Sequence, residues 1–158
     1  MYMKLLFLLV LILVSVTQHA YSQSPGSSVD KTAVNDPIAG QQLIGKHRFQ
    51  LHWISWGKWK DLADLSVTNR NGVYVVKGRQ AKGGDYVEID GRVVSVESKV
   101  FTFQGKIVTR VSYKNEGKPC ERDGLMTFKI TGKRRYWRLQ EMQSPCDETT
   151  DYVDIFLR

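Results

Sequence analysis

Three of the four tryptophans of the chain lie within seven residues, in the segment Trp53-Ile54-Ser55-Trp56-Gly57-Lys58-Trp59. Clustered indole rings bind apolar molecules, stack on sugar rings or bury their large area in a core. Side chains three residues apart on a strand point to opposite faces, so Trp53 and Trp56 cannot both be core residues of one strand. The candidate lining of a small-ligand site comprises Trp53, Trp56, Trp59, Phe101, Phe103 and Trp137.

A second group of side chains is basic and has aromatic neighbours in Tyr136 and Trp137. This mixture is typical of surfaces that bind single-stranded nucleic acid, anionic polysaccharide or lipid headgroups. It is equally typical of a solvated hairpin. Nucleic acid is disfavoured as a partner because the first 22 residues, described below, predict export of the protein. The candidate polyanion-binding residues are Lys129, Lys133, Arg134, Arg135 and Arg138.

Catalytic and metal-binding patterns are weak. His47 and His52 are five residues apart on a predicted strand, so they point to opposite faces, and no Gly-x-Ser-x-Gly motif occurs. The acidic residues Asp147, Glu148, Asp151 and Asp154 lack the regular spacing of an EF-hand loop. We therefore expect a protein without enzymatic activity, cofactor or bound metal.

The composition is that of a folded globular protein, with 158 residues, 42% hydrophobic, 25% charged and a formal net charge of +7. The first 22 residues have the pattern of a secretory signal peptide: a basic start, an apolar run over 5–16 and small residues before a cut after Ser22. The apolar run is shorter than the roughly 20 residues of a membrane-spanning helix. We expect a secreted protein, periplasmic or extracellular, with no transmembrane segment after cleavage.

Cys120 and Cys146 are the two cysteines of the chain, and both lie among turn-forming residues. An even number of cysteines in an oxidising compartment indicates a disulfide bond. Closing this loop is expected to stabilise the fold by roughly 3 kcal/mol. A structural zinc site is disfavoured because it needs four ligands at close spacing.

Hydrophobic periodicity divides the mature chain into two parts. Residues 23–44 are predicted to form a flexible arm with a short helical turn, Pro37–Leu43, that Asp36 caps. Residues 45–158 are predicted to form a single β domain, in which Phe49, Leu51 and Trp53 alternate with polar residues.

Turn signals punctuate this domain. Hairpins are predicted at Asn71-Gly72, at Asp90-Gly91, around Gln104-Gly105-Lys106 and at Gly132-Lys133, and a last strand covers 152–157. The eight or nine short antiparallel strands avoid exposed edges either by closing into an up-and-down (meander) barrel, which we favour, or by splitting into a β-sandwich.

Two short segments resemble the calycins, the group of lipocalins and avidins. Leu43-Ile44-Gly45-Lys46-His47 is similar to the Gly-x-Trp motif at the start of their first strand, with His47 at the Trp position, and Thr150-Asp151-Tyr152 is similar to a Thr-Asp-Tyr segment before a late strand. The resemblance implies a closed barrel that is open at one end and holds a small apolar ligand.

Together these observations predict a secreted, monomeric, disulfide-bonded binding protein that holds a small apolar or amphipathic ligand at the mouth of a β-barrel. One alternative is a module that binds a protein or polyanion through its basic outer face. A second alternative is a structural, envelope-associated domain without a ligand.

Overall fold

A computed structural model describes residues 30–157. Eight strands follow one another in an antiparallel meander, and the last pairs with the first to close a barrel. The predicted barrel is therefore confirmed, and the sandwich is not formed. The barrel strands are β2 (Gly45–Leu51), β3 (Ala63–Arg70), β4 (Val73–Lys82), β5 (Asp85–Val96), β6 (Val100–Arg110), β7 (Cys120–Lys129), β8 (Tyr136–Leu139) and β9 (Val153–Phe156). The predicted signal peptide, residues 1–22, lies outside the described residues.

The predicted helical turn is present as α1 (Pro37–Leu43), and Asp36 caps it by accepting hydrogen bonds from the backbone N–H groups of Ile38 and Ala39. Residues 32–34 of the predicted arm lie against the barrel. The short strand β1 (Ala33–Val34) pairs in parallel with β5, and the buried Thr32 hydroxyl donates to the carbonyl of Val93 at 2.7 Å.

Two of the predicted hairpins are wrong. β5 runs without interruption through Asp90-Gly91, and β6 runs through Gln104-Gly105-Lys106. The turn between β4 and β5 lies at Gly83 and Gly84, both with positive φ. The hairpin at Asn71-Gly72 is confirmed, since both residues have positive φ between β3 and β4.

Gly91 and Gly105 serve a close approach of strands rather than a turn. They are partners in the β5–β6 register, and a Cβ atom built on Gly105 would lie 2.3 Å from the carbonyl oxygen of Asp90. The ring of Phe103 occupies the remaining space, 2.7 Å from the same built atom. Glycine is required at this point because no side chain fits between the strands.

The first barrel strand is shorter than predicted. β2 ends at Leu51, and the chain continues into a short helix, α2 (His52–Ser55), so Trp53 lies on a helix. Tertiary contacts favour this turn: the N–H of His52 donates to the carbonyl of Tyr152, and the indole N–H of Trp53 donates to Asp151. His52 and His47 therefore do not share a strand.

Aromatic and branched side chains fill the barrel. Phe101 stacks on Phe128 with 4.9 Å between ring centroids, and Trp137 meets Phe101 edge-on at 5.7 Å. Leu43 of α1 is fully buried, so α1 contributes to the core at one end of the barrel. At the other end, Trp53 packs against the core.

The predicted disulfide between Cys120 and Cys146 is confirmed, with 5.9 Å between the Cα atoms. It joins the start of β7 to the long connection between β8 and β9. Within residues 30–157, no helix is long and apolar enough to span a bilayer.

Candidate functional site

The loop after α2 folds over the outer wall of the barrel. The reversal is made by Trp56 and Gly57, whose φ angles are 50° and 73°, and a 3₁₀ turn at Trp59–Asp61 follows. A left-handed conformation is unfavourable for a residue with a Cβ atom, so contacts elsewhere must hold Trp56 in place. The loop leaves the Trp59 side chain 61% exposed, with its ring edge-on to Phe156 at 5.5 Å between centroids.

The outer wall beneath Trp59 is formed by the side chains of β2, β8 and β9 that point away from the core. In β9, Val153 and Ile155 point into the core, so Phe156 points outward. Its register partners are Arg48 on β2 and Tyr136 on β8. One outward row therefore carries a cation, an apolar ring and a phenol side by side.

A groove of about 450 Å³ lies beside Trp59 on this wall. Its lining combines apolar side chains and three cations with His47 and the carboxylate of Asp64. We call it the outer groove; the argument uses Lys46, Arg48, Trp59, Arg135, Phe156 and Leu157 among its lining residues. Its size is within the range of small-molecule sites.

The cations of the outer groove differ in how they are held. Arg48 pairs with Asp64 at 2.6 Å and also donates to the carbonyl of Leu62, so its charge is already compensated. Lys46 and Arg135 are exposed, and neither forms an ion pair with another residue of the range 30–157. Two positive charges therefore remain available to an anion in the groove.

A smaller pocket of about 290 Å³ lies on the other side of Trp59 and includes Arg138 and Asp154. Asp154 is buried and accepts two hydrogen bonds from Arg138, both at 2.7 Å, and one from Gln50 at 3.1 Å. The hydrogen bonds that Arg138 donates to Asp154 raise the pKa of Arg138, although desolvation opposes this. The Arg138 guanidinium also lies 4.2 Å from the centroid of the Tyr152 ring. Arg138 is thus fixed within the wall.

The predicted aromatic lining separates into two groups. Trp56 and Trp59 are exposed, whereas Trp53 is half-buried, with Lys114 Nζ 4.1 Å from its ring centroid. Phe101, Phe103 and Trp137 are at most 3% exposed and pack against other core side chains. In the structure these three side chains are core residues, and none of them lines the outer groove.

The predicted polyanion-binding residues differ in whether their charge is free to meet a partner. Lys129, Lys133, Arg134 and Arg135 are exposed, as a polyanion-binding surface requires. Arg138 differs, because its guanidinium is engaged by Asp154.

Sequence reasoning missed Lys46, Arg48 and Phe156. The alternation of Lys46, His47, Arg48 and Phe49 along one strand contained the signal for two outward cations. The contact between Trp59 and Phe156 had no local signal, since nearly a hundred residues separate them in the sequence.

His47 and Asp151 are held by polar contacts within the fold. Buried His47 lies between the carbonyl oxygens of Leu43 and Phe156, at 2.8 and 3.0 Å. Asp151 pairs with buried Arg122 at 2.9 Å. Within the described part of the chain, no three His, Cys, Asp or Glu residues are grouped so as to hold a metal ion.

Comparisons with known proteins agree on one relationship. Over 115 residues, 73% of each chain, the sequence is 47% identical to a protein of Pasteurella multocida (strain Pm70) named "Uncharacterized protein PM1083". No solved structure matches the chain. The PM1083 family matches residues 31–157, which include the whole barrel and the outer groove. The chain therefore belongs to the PM1083 family.

Proposed function

We propose that this protein is a secreted, non-enzymatic binding protein that holds a small amphipathic anion in the outer groove. The observation that carries the proposal is the pairing of two uncompensated cations, Lys46 and Arg135, with an apolar floor of Phe156 and Leu157. Trp59 closes one side of the groove with an aromatic face. The ligand accordingly has an acidic head and an apolar or aromatic body.

The two parts of the groove favour the two parts of such a ligand. An anionic head gains from Lys46 and Arg135 without competing with a protein carboxylate, because Asp64 is already bound to Arg48. An apolar body gains by covering Phe156 and Leu157, which are only partly shielded by the protein. A purely apolar ligand uses only the second contribution.

The proposed site lies on the outer wall rather than at the barrel mouth that the sequence predicted. Phe101, Phe103 and Trp137 are buried, so they offer no surface to a ligand. Trp59 is the one predicted aromatic residue that lines the outer groove. Secretion is supported by the disulfide, since such bonds persist mainly in oxidising compartments.

A matched pair of fluorescent probes tests the proposal. 8-Anilinonaphthalene-1-sulfonate carries an acidic head, whereas N-phenyl-1-naphthylamine has the same aromatic body without it. We expect the sulfonate to bind more tightly. Replacing Lys46 and Arg135 together by Ala should weaken sulfonate binding about tenfold or more, which corresponds to ~1.4 kcal/mol, and leave the neutral probe nearly unchanged.

The control variant is Lys133→Ala, which removes an exposed positive charge near Arg135 but outside the groove lining. It should change both affinities less than twofold. Equal loss of both probes in the double variant, or equal loss of sulfonate binding in the control, contradicts the proposal. Titrations at two salt concentrations separate local contacts from the general field of a basic protein.

A further inference from the structure

The basic character of the outer wall extends well beyond the outer groove. Five more cations are exposed on or beside it, and none forms an ion pair with another residue in the range 30–157. Arg134 instead donates to the Thr131 hydroxyl at 2.9 Å. We call these residues the wall cations: Lys58, Lys60, Lys129, Lys133 and Arg134.

The acidic residues of the same wall are already neutralised. Asp154 is buried beneath Arg138, and Asp64 is held by Arg48. The described strands β2, β8 and β9 carry no other outward carboxylate. Asp61, next to Lys60 in the loop, is paired with Lys82 at 2.8 Å. The wall therefore keeps an excess of positive charge, whereas the opposite wall pairs Lys77 with Asp90 and Lys106 with Glu121.

Two exposed indole rings lie at the edge of this positive surface. Trp56 is 56% exposed and Trp59 is 61% exposed. Both flank Lys58 in the loop after α2. The Trp56 ring is held edge-on by Trp53 and His52, with centroid distances of 5.6 and 5.8 Å, so it is positioned rather than free to fold back. Exposing two large rings costs free energy in water unless they meet a partner.

We infer that this wall docks the protein onto an anionic lipid surface, with Trp56 and Trp59 in the headgroup region and the wall cations against lipid phosphates. Trp residues are enriched at membrane interfaces because one part of the indole is apolar and the N–H is polar. Clustered Lys and Arg side chains are attracted to anionic headgroups. A soluble polyanion that contacts the cations alone would leave the indole rings exposed.

The inference is separable from the proposed ligand site. Trp56, Lys58 and Lys60 do not line the outer groove. Changing them therefore tests lipid docking without removing groove contacts.

The experiment measures binding of the mature protein to vesicles of phosphatidylcholine with and without phosphatidylglycerol. We expect sedimentation with the anionic vesicles only, reversal by salt, and a blue shift of Trp emission that bromine-labelled acyl chains quench. The Trp56→Ala variant, and separately the Lys58→Ala/Lys60→Ala variant, should lower the partition coefficient about fivefold or more.

The matched control is Lys77→Ala/Lys106→Ala, which removes the same charge from the opposite wall. It should bind vesicles like the wild type. All variants should keep wild-type affinity for 8-anilinonaphthalene-1-sulfonate, because their outer groove is intact. If that affinity is absent in the wild type while vesicle binding behaves as described, the proposed function fails and the docking inference stands.

Three outcomes overturn the inference. One is no binding to anionic vesicles. A second is equal loss in the control variant, which indicates attraction to net charge alone. The third is retention on heparin without binding to vesicles, where the Lys58→Ala/Lys60→Ala variant loses retention and the Trp56→Ala variant keeps it. That result indicates an anionic polysaccharide as the partner.

Discussion

At the scale of single residues, two carboxylates of the outer wall show how burial decides the value of an ion pair. The Asp154 side chain is 1% exposed and its partner Arg138 is 14% exposed, whereas Asp64 and its partner Arg48 are 73% and 36% exposed. Water screens the exposed Arg48–Asp64 pair, so the attraction between its charges offsets little more than the entropy cost of ordering the two side chains. Removal of one partner from the first pair leaves a buried charge without compensation.

We therefore expect Asp154→Asn to lower the free energy of unfolding by about 3 kcal/mol, because it leaves Arg138 unpaired inside the wall. Asp64→Asn, the same chemical change at the exposed pair, should cost less than about 1 kcal/mol. Urea denaturation followed by Trp fluorescence measures both values. Similar losses in the two variants would show that the Arg138–Asp154 pair is screened like a surface pair.

Sequence patterns identified part of the site at this scale. Trp59 and Arg135 were recognised because clustered indoles and clustered cations are local features. Phe101 and Trp137 were predicted to line a ligand site, and the sequence did not reveal how fully their neighbours cover them. That coverage depends on barrel diameter and strand register, which become known only when β9 is seen to pair with β2.

At the scale of secondary structure, the glycines are the residues whose role, in a turn or within a strand, is hardest to predict from the sequence. Asn71-Gly72 and Asp90-Gly91 look alike in the sequence, yet one forms a hairpin and the other lies within a long strand. The difference lies across the sheet. Gly91 faces Gly105, and a Cβ atom on either glycine would overlap the neighbouring strand, so β5 and β6 approach closely at this level. A single sequence contains the glycines but not their alignment, whereas the cap of α1 at Asp36 is local and was predicted.

A methyl group at Gly105 should disrupt this crossing. We expect Gly105→Ala to lower the free energy of unfolding by about 2–3 kcal/mol, because the new atom would overlap the backbone of β5 and the Phe103 ring. The control is Gly83→Ala, in a turn where an added Cβ would contact nothing within 4 Å and where only the backbone conformation is strained. Its loss should be about 1 kcal/mol. A Gly105→Ala variant as stable as Gly83→Ala would show that the strands can separate at little cost.

At the scale of the whole molecule, side chains and a covalent bond replace part of the β-ladder. β7 registers with β6 over ten residue pairs but with β8 over only two. Beyond those two pairs, Arg122 donates to the carbonyls of Glu141 and Gln143, at 3.2 and 3.0 Å, and the disulfide adds a covalent link. These contacts hold the β8–β9 connection against β7.

Removal of the disulfide should destabilise the barrel without altering the outer groove. We expect the Cys120→Ser/Cys146→Ser variant to lose about 3 kcal/mol, the value for closing a loop with a sequence separation of 26 in the unfolded chain. Urea midpoints with and without dithiothreitol provide the measurement and its control. The reductant should lower the midpoint of the wild type and leave that of the variant unchanged. A reductant effect on the variant, or none on the wild type, would contradict this account.

The pairing of Arg48 with Phe156 in register has a thermodynamic consequence for whatever occupies the wall between them. The two residues come from the first and last strands of the ring, so the occupied surface exists only while the ring is shut. A molecule bound there contacts both β2 and β9 and so stabilises the closed barrel. At a ligand concentration a hundredfold above the dissociation constant, binding would raise the free energy of unfolding by about 2.7 kcal/mol through mass action. Unfolding of the barrel would release the ligand completely.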